Sequence, residues 1–245
     1  MLFADRTLSA TPASAIRNQL SWLPHLTFTV AALLLFGSCA SGPLSSDKSY
    51  GPEWLLCYDQ DFSSSESIAD FSYSDARIWD WTHLEGGALK FSEGSSYQPP
   101  FRSPTAYAMV KGLMFDTFIM EAEVQQTGKE YGHRDLCFFF AFESPSKFGY
   151  VHLATSPDPN AHNIFTVNQA ARAPLAPVSD QGIQWTESWH VVKVQKLQAE
   201  GPIEVFFDGE LILSADGSDF GRGRLGFGSF DDSGQIRELK VWTRN

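Results

Sequence analysis

Residues 203–213 read IEVFFDGELIL, two short apolar-rich runs on either side of Asp208-Gly209. An Asp-Gly pair in that setting suits a two-residue type I′ turn, because both central positions need positive φ. The segment is therefore predicted to be a β-hairpin. Working outward, residues 118–125 (FIMEAEVQ) alternate without a break. Phe118, Met120, Ala122 and Val124 take one face and Ile119, Glu121, Glu123 and Gln125 the other, the pattern of a half-buried antiparallel strand. Gly86-Gly87 joins 78–85 to 88–91 in a similar turn. Further strands are predicted over 54–62, 136–142, 149–154, 163–168, 189–197, 224–230 and 236–242. Outside the N-terminal segment no long stretch keeps a helical period. About a dozen short strands separated by Gly, Pro and Asp turns predict an all-β fold, a two-sheet antiparallel sandwich.

Composition narrows the possible partners. The 245 residues are 43% hydrophobic and 19% charged, with twenty Phe, seven Trp and seven Tyr. That is enough aromatic area for a sizeable core and too little charge for a disordered chain or a coiled coil. Eighteen Lys and Arg against 29 Asp and Glu leave a net charge of −11. A nucleic-acid binder needs a basic face to displace counterions, so nucleic acid is not an expected partner.

The N-terminus reads as an address. Residues 26–36 (LTFTVAALLLF) are eleven uncharged residues, with Arg6 and Arg17 upstream and Gly37-Ser38-Cys39 following. A membrane-spanning helix needs about 20 apolar residues, so this run is too short and fits the apolar segment of a secretory leader. The small pair before Cys39 resembles the lipobox of bacterial lipoproteins, in which the cysteine thiol is lipidated. The expected layout is a signal peptide over 1–38, a Ser/Gly/Pro-rich tether over 39–50 and a single β-sandwich domain over 51–245. It implies a lipid membrane as a partner through the N-terminal anchor, and a cell-envelope or extracellular location. Ala40 after the cysteine points, by analogy with known lipoproteins, to the outer membrane. Cys57 and Cys137 remain. They either form a bridge in an oxidising compartment, or Cys137 packs as a small apolar group in the run Cys137-Phe138-Phe139-Phe140.

The order of segments 116–125, 136–154, 186–196, 203–213 and 221–242 resembles the concanavalin A-like lectin/glucanase superfamily. Within it the likeness is to laminin-G-like and 3-keto-disaccharide-hydrolase-type domains. The matching features are Trp189-His190 at a strand start, the Asp208-Gly209 hairpin and the Gly-rich run leading into 226–242. What the resemblance implies is a jelly roll that handles carbohydrate on its concave sheet. Many members also hold a structural Ca²⁺ near the chain ends, for which Asp231 and Asp232 are the candidate ligands here. Related glucanases carry an E-x-D-x-x-E strand. The nearest match here runs from Glu121 through Glu123 to Gln126, whose last position cannot deliver a proton, so the usual glucanase mechanism is not expected.

Sugars offer C–H faces to aromatic rings and hydroxyl rims to carboxylates, amides, Arg and His. Trp79 and Trp81 share one side of their strand, and Glu123 and Arg172 are further candidate contacts. The strongest polar cluster is His133-Arg134-Asp135, with His152 on the next strand and His162 beyond it. His152 and Asp135 form a workable acid/base pair, with Arg134 and His162 as ligand-binding groups. Two His ten residues apart show no third ligand at a zinc spacing, so no zinc site is expected. Carbohydrate recognition is the leading expectation. The alternatives are a glycoside-active enzyme, hydrolase- or lyase-like, using the His/Arg/Asp site, and a structural lipoprotein that binds another protein.

Overall fold

In the computed structural model, which describes residues 50–244, the central hairpin forms as predicted. Asp208 and Gly209 sit at φ +48° and +85°, the two positive values that a type I′ turn demands. The expected signal peptide over 1–38, Cys39 and all of the expected tether but Tyr50 lie outside the described residues, as does Asn245.

Fifteen strands form among the described residues. They are β1 (Trp54–Gln60), β2 (Phe71–Tyr73), β3 (Trp79–Thr82), β4 (Ala88–Phe91), β5 (Ala106–Val110), β6 (Phe118–Gln126), β7 (Asp135–Ser144), β8 (Lys147–Ala154), β9 (Asn163–Asn168), β10 (Ala173–Pro174), β11 (His190–Lys196), β12 (Ile203–Phe207), β13 (Glu210–Ala215), β14 (Arg224–Ser229) and β15 (Gly234–Arg244). One sheet runs β13-β12-β11-β6-β15-β4-β3, with β1 also paired to the long β15. The other runs β10-β9-β8-β7-β14-β5-β2. Neighbouring strands are antiparallel throughout. This is the predicted jelly-roll sandwich.

The alternation read from residues 118–125 decides the packing. Phe118, Met120, Ala122 and Val124 of β6 share one core with Phe138 and Phe140 of β7, Val151 and Leu153 of β8, and Leu225 and Phe227 of β14. These residues from both sheets bury the apolar faces that hold the sandwich together. The close approach of β14 to β5 depends on glycine. A Cβ on Gly228 would lie 1.8 Å from the Ala106 carbonyl oxygen.

Residues of opposite parity on the seven-stranded sheet form a second apolar cluster. It comprises Met109, Cys137, Phe139, Phe142, Phe148, Tyr150, Phe165 and Val167, with Phe101, Tyr107 and Phe230 packed against it. Most of this sheet's outer face is therefore filled by aromatic rings that cover one another. Phe139, Phe142, Tyr150 and Phe165 are each at most 1% exposed. These rings stack on one another and leave little of this face to meet a sugar. What stays open is the end where β7 begins and β8 finishes.

Candidate functional site

That open end is a hollow of about 370 Å³ lined by Arg102, Tyr131, His133, Asp135, His152, Asp158, Asn160, Arg172, Phe230 and Asp231. Strand register explains its floor. Cys137 of β7 lies opposite His152 of β8, and Phe139 opposite Tyr150. Side chains two apart share a face, so Asp135, Cys137 and Phe139 line up beside His152 and Tyr150. The His152 Nε2 atom lies 2.6 Å from Asp135 Oδ2, and both side chains are buried. The other ring nitrogen, Nδ1, meets the Asn160 carbonyl at 3.3 Å.

Asp135 is fully engaged by the protein. Its Oδ1 accepts from the Ser229 hydroxyl and the Phe230 amide, and its Oδ2 faces His152 and the Cys137 thiol at 3.7 Å. Burial pushes the Cys137 thiol well up. Cys137 packs in the aromatic cluster and Cys57 packs beside the intersheet core, so the two are separate thiols rather than a bridge.

Arg172 forms one wall. Its guanidinium donates to Tyr150 Oη at 2.9 Å and to the Asn160 carbonyl at 2.8 Å. It also lies 4.8 Å and 4.7 Å from the centres of the Phe165 and Phe230 rings. A planar cation held between aromatic faces keeps its charge and loses its freedom. Arg102 adds a second, exposed guanidinium. Opposite these stand Asp158, 3.6 Å from His133 Nε2, and the exposed Asp231, whose carboxyl is raised by partial burial and then by the charge of Asp135. Tyr131 is 43% exposed and offers the accessible ring. Its phenol is pushed up by burial and by Asp232.

Several sequence candidates lie elsewhere. Arg134 precedes Asp135 and so points to the opposite side. It is buried, with Nε and Nη2 donating to the side chain and backbone of Gln126. It braces the strand end and leaves the proposed Arg134–Asp135–His152 grouping. His162 has the parity of the intersheet face and lines a different hollow, with residues 179–184 and 210–212. Trp79 is a core residue against Tyr73, Phe91 and Phe227, because its strand turns that face inward. Trp81 on the eight-stranded sheet donates from Nε1 to the Phe62 carbonyl at 2.7 Å. Glu123, on the outer face of that same sheet, is ion-paired to Arg237. Its neighbour Glu121 accepts from the Tyr50 hydroxyl at 2.6 Å. With Gln126 holding Arg134, the glucanase-like strand is committed to structure.

The calcium expectation does not fit the residues present. The buried Asp232 carboxylate accepts from the Asp135 amide at 2.8 Å and the Tyr131 hydroxyl at 3.0 Å. Burial raises its pKa to about 6. A hard dication needs six to eight oxygens, and Asp231 instead opens into the hollow. Among the described residues, one cluster gathers three ligand atoms within 4.8 Å, namely Asp135, Cys137 and His152.

Arg102, Tyr131, Asp158, Asn160 and Phe230 complete the hollow. All five lie in loops or just beyond a strand end, where no periodicity marks them.

No family model and no curated protein sequence matches the chain. Solved structures do. The carbohydrate-binding module CBM66 of Bacillus subtilis superposes with a TM-score of 0.50 at 11% identity, over 70% of this chain and 94% of that one. A B. subtilis protein of unknown function with a galectin-like fold gives 0.52 at 14% identity, over 78% and 97%. A Clostridium perfringens endo-β-galactosidase that releases GlcNAcα1-4Gal gives 0.51 at 11% identity, over 84% and 65%. At such identities the likeness establishes architecture alone: the chain is a two-sheet antiparallel jelly-roll sandwich.

Proposed function

We propose that the hollow at the β7–β8 end binds a saccharide and that the protein recognises rather than cleaves it. The observation that carries this reading is the composition of one small cavity. Two guanidiniums, two accessible carboxylates and the Asn160 amide surround the exposed Tyr131 ring. Such a rim matches hydroxyls as donors and acceptors at once, and the ring matches a sugar's C–H face. The volume, about 370 Å³, is near the lower end of ligand sites at roughly 300–1,000 Å³. It suits a terminal sugar better than a long chain. Structural neighbours include a carbohydrate-binding module, which supports the reading.

Recognition is favoured over catalysis by the state of the acid/base pair. His152 and Asp135 are both buried and face each other at 2.6 Å, with Nδ1 on the Asn160 carbonyl and Oδ1 on the Ser229 hydroxyl, so the pair is turned into the protein rather than toward a substrate proton. A glycan array probed with the full chain, followed by calorimetry on any hit, tests binding. Mass analysis of the hit after prolonged incubation tests cleavage. Binding with an intact glycan is expected. A shortened or eliminated product would move the protein to the enzyme reading, and silence across the array would favour a protein partner.

The leader motif supports placing this domain outside the cytoplasm, held to a membrane by lipidated Cys39. Metabolic labelling with a fatty-acid analogue is expected to mark the wild-type chain and not Cys39→Ala.

A further inference from the structure

We propose that Asp135, Cys137 and His152 hold a divalent transition-metal ion of the zinc class beneath the hollow. The inference stands on the donor set and its geometry and does not depend on the saccharide reading. Asn160 presents a carbonyl to His152 Nδ1. A carbonyl only accepts, so Nδ1 carries a hydrogen, and the tautomer with that one hydrogen leaves a lone pair on Nε2. That lone pair lies 2.6 Å from Asp135 Oδ2, yet the buried Nε2 has no hydrogen-bond partner in acceptable geometry. Two lone pairs this close repel unless a positive charge lies between them. A proton can serve two atoms, but a third donor converges here. Cys137 Sγ is 3.7 Å from the same oxygen, and the three ligand atoms lie within 4.8 Å of one another.

Thiolate, imidazole and carboxylate together select a borderline-soft ion over calcium or magnesium. The surroundings also suit a metal. Ligating histidines commonly donate their second N–H to a carbonyl, as to Asn160 here, and ligating carboxylates are themselves hydrogen-bonded, as Asp135 is by Ser229 and Phe230. Zn–N and Zn–O bonds of about 2.0–2.2 Å set two tetrahedral ligands roughly 3.3 Å apart. Binding would therefore open the Nε2–Oδ2 pair by about 0.7 Å, within reach of a small ring rotation, while the Sγ–Oδ2 spacing needs little change. On binding, the Cys137 S–H bond breaks, its proton passes to buffer and the sulfur–metal bond forms. Two negative ligands then balance the dication, which removes the cost of a buried thiolate. The sequence pointed away from zinc because it counted His152 and His162. The third ligand arrives across the β7–β8 register.

Cobalt(II) titrated into the full chain, reduced and stripped with chelator, is the test. One equivalent is expected to bind and to give a thiolate-to-cobalt charge-transfer band in the near ultraviolet. Cys137→Ala is expected to lose the band and Cys57→Ala to keep it. Ser229→Ala, which removes a hydrogen bond from Asp135, should weaken binding by about tenfold or more. Near-ultraviolet circular dichroism reports whether each variant is folded. The wild-type titration stands without any variant: no stoichiometric uptake, or uptake without the band, overturns the proposal. So does a band that survives Cys137→Ala. Glycan binding measured on stripped and loaded protein separates the two readings, since either can fail while the other holds.

Discussion

His162 occupies the left-handed region at φ +51° and is 1% exposed. Burial, followed by the nearby His152, pushes its pKa down to about 4 from 6.5. The unfolded chain therefore takes up this proton near pH 6.5 and the folded one only near pH 4. The stability it contributes is complete above pH 6.5 and drains away as the pH falls toward 4, by about 3 kcal/mol at 1.36 kcal/mol per unit. His162→Asn keeps a residue tolerant of positive φ and is expected to remove that part of the acid dependence. Urea unfolding of both proteins at pH 4 and pH 7 checks it; equal acid sensitivity in wild type and variant would contradict it. Arg172 matters through shape as much as charge. Arg172→Lys retains the cation but loses the stack on Phe165 and Phe230 and the fork to Tyr150 and Asn160. Affinity for any glycan that binds the hollow should fall at least tenfold by calorimetry, about 1.4 kcal/mol.

Among the elements, β14 and β5 show where backbone spacing controls stability. A methyl on Gly228 would meet the Ala106 carbonyl oxygen at 1.8 Å. Relief requires moving strands apart, so Gly228→Ala should cost about 1–3 kcal/mol or more in urea unfolding. Gly221→Ala is the control, since nothing lies within 4 Å of its added carbon. Equal stability of the two variants would show that the strands can part without cost. The same pair shows what the sequence discloses. The long alternation of β6 and the Asp-Gly hairpin were legible because their periodicity and turn chemistry act locally. The three-residue β2, the two-residue β10 and the short β5 were not, because their pairing partners stabilise them rather than any pattern of their own. Parity also decides the site. Arg134 and Asp135 looked like one cluster in the sequence, but β7 begins at Asp135 and sends the two side chains to opposite faces.

At the scale of the whole molecule, the sandwich uses its aromatic residues mainly as mortar. The rings on the outer face of the seven-stranded sheet are buried against one another, and Trp79 is buried between the sheets. The working surface shrinks to one end, where the loops that carry Arg102, Tyr131 and His133, Asp158 and Asn160, and Arg172 line one hollow with the turn after β14. Asp135 and His152 were foreseeable as a pair, since neighbouring strands can be placed from sequence, and Arg172 as a cleft-rimming loop residue, whereas Asp231 was expected as a calcium ligand with Asp232. Arg102, Tyr131 and Asn160 were not foreseeable, since their positions depend on how long loops fold back over the sheet. The hollow carries both signs of charge, Arg102 and Arg172 with Asp135, Asp158 and Asp231, so ligand binding should weaken moderately rather than collapse in high salt. Calorimetry across a salt series would show this, and complete loss at modest salt would mean that charge alone holds the ligand.

The most direct measurement is a calorimetric titration of a glycan-array hit into the full wild-type chain, into Arg172→Ala and into Glu123→Gln. Glu123 lies on the opposite sheet, ion-paired to Arg237. One site on the wild type, loss of binding in Arg172→Ala and unchanged binding in Glu123→Gln are expected. Binding that survives Arg172→Ala but disappears in Glu123→Gln would place the saccharide on the other sheet and rule out the β7–β8 hollow as its site.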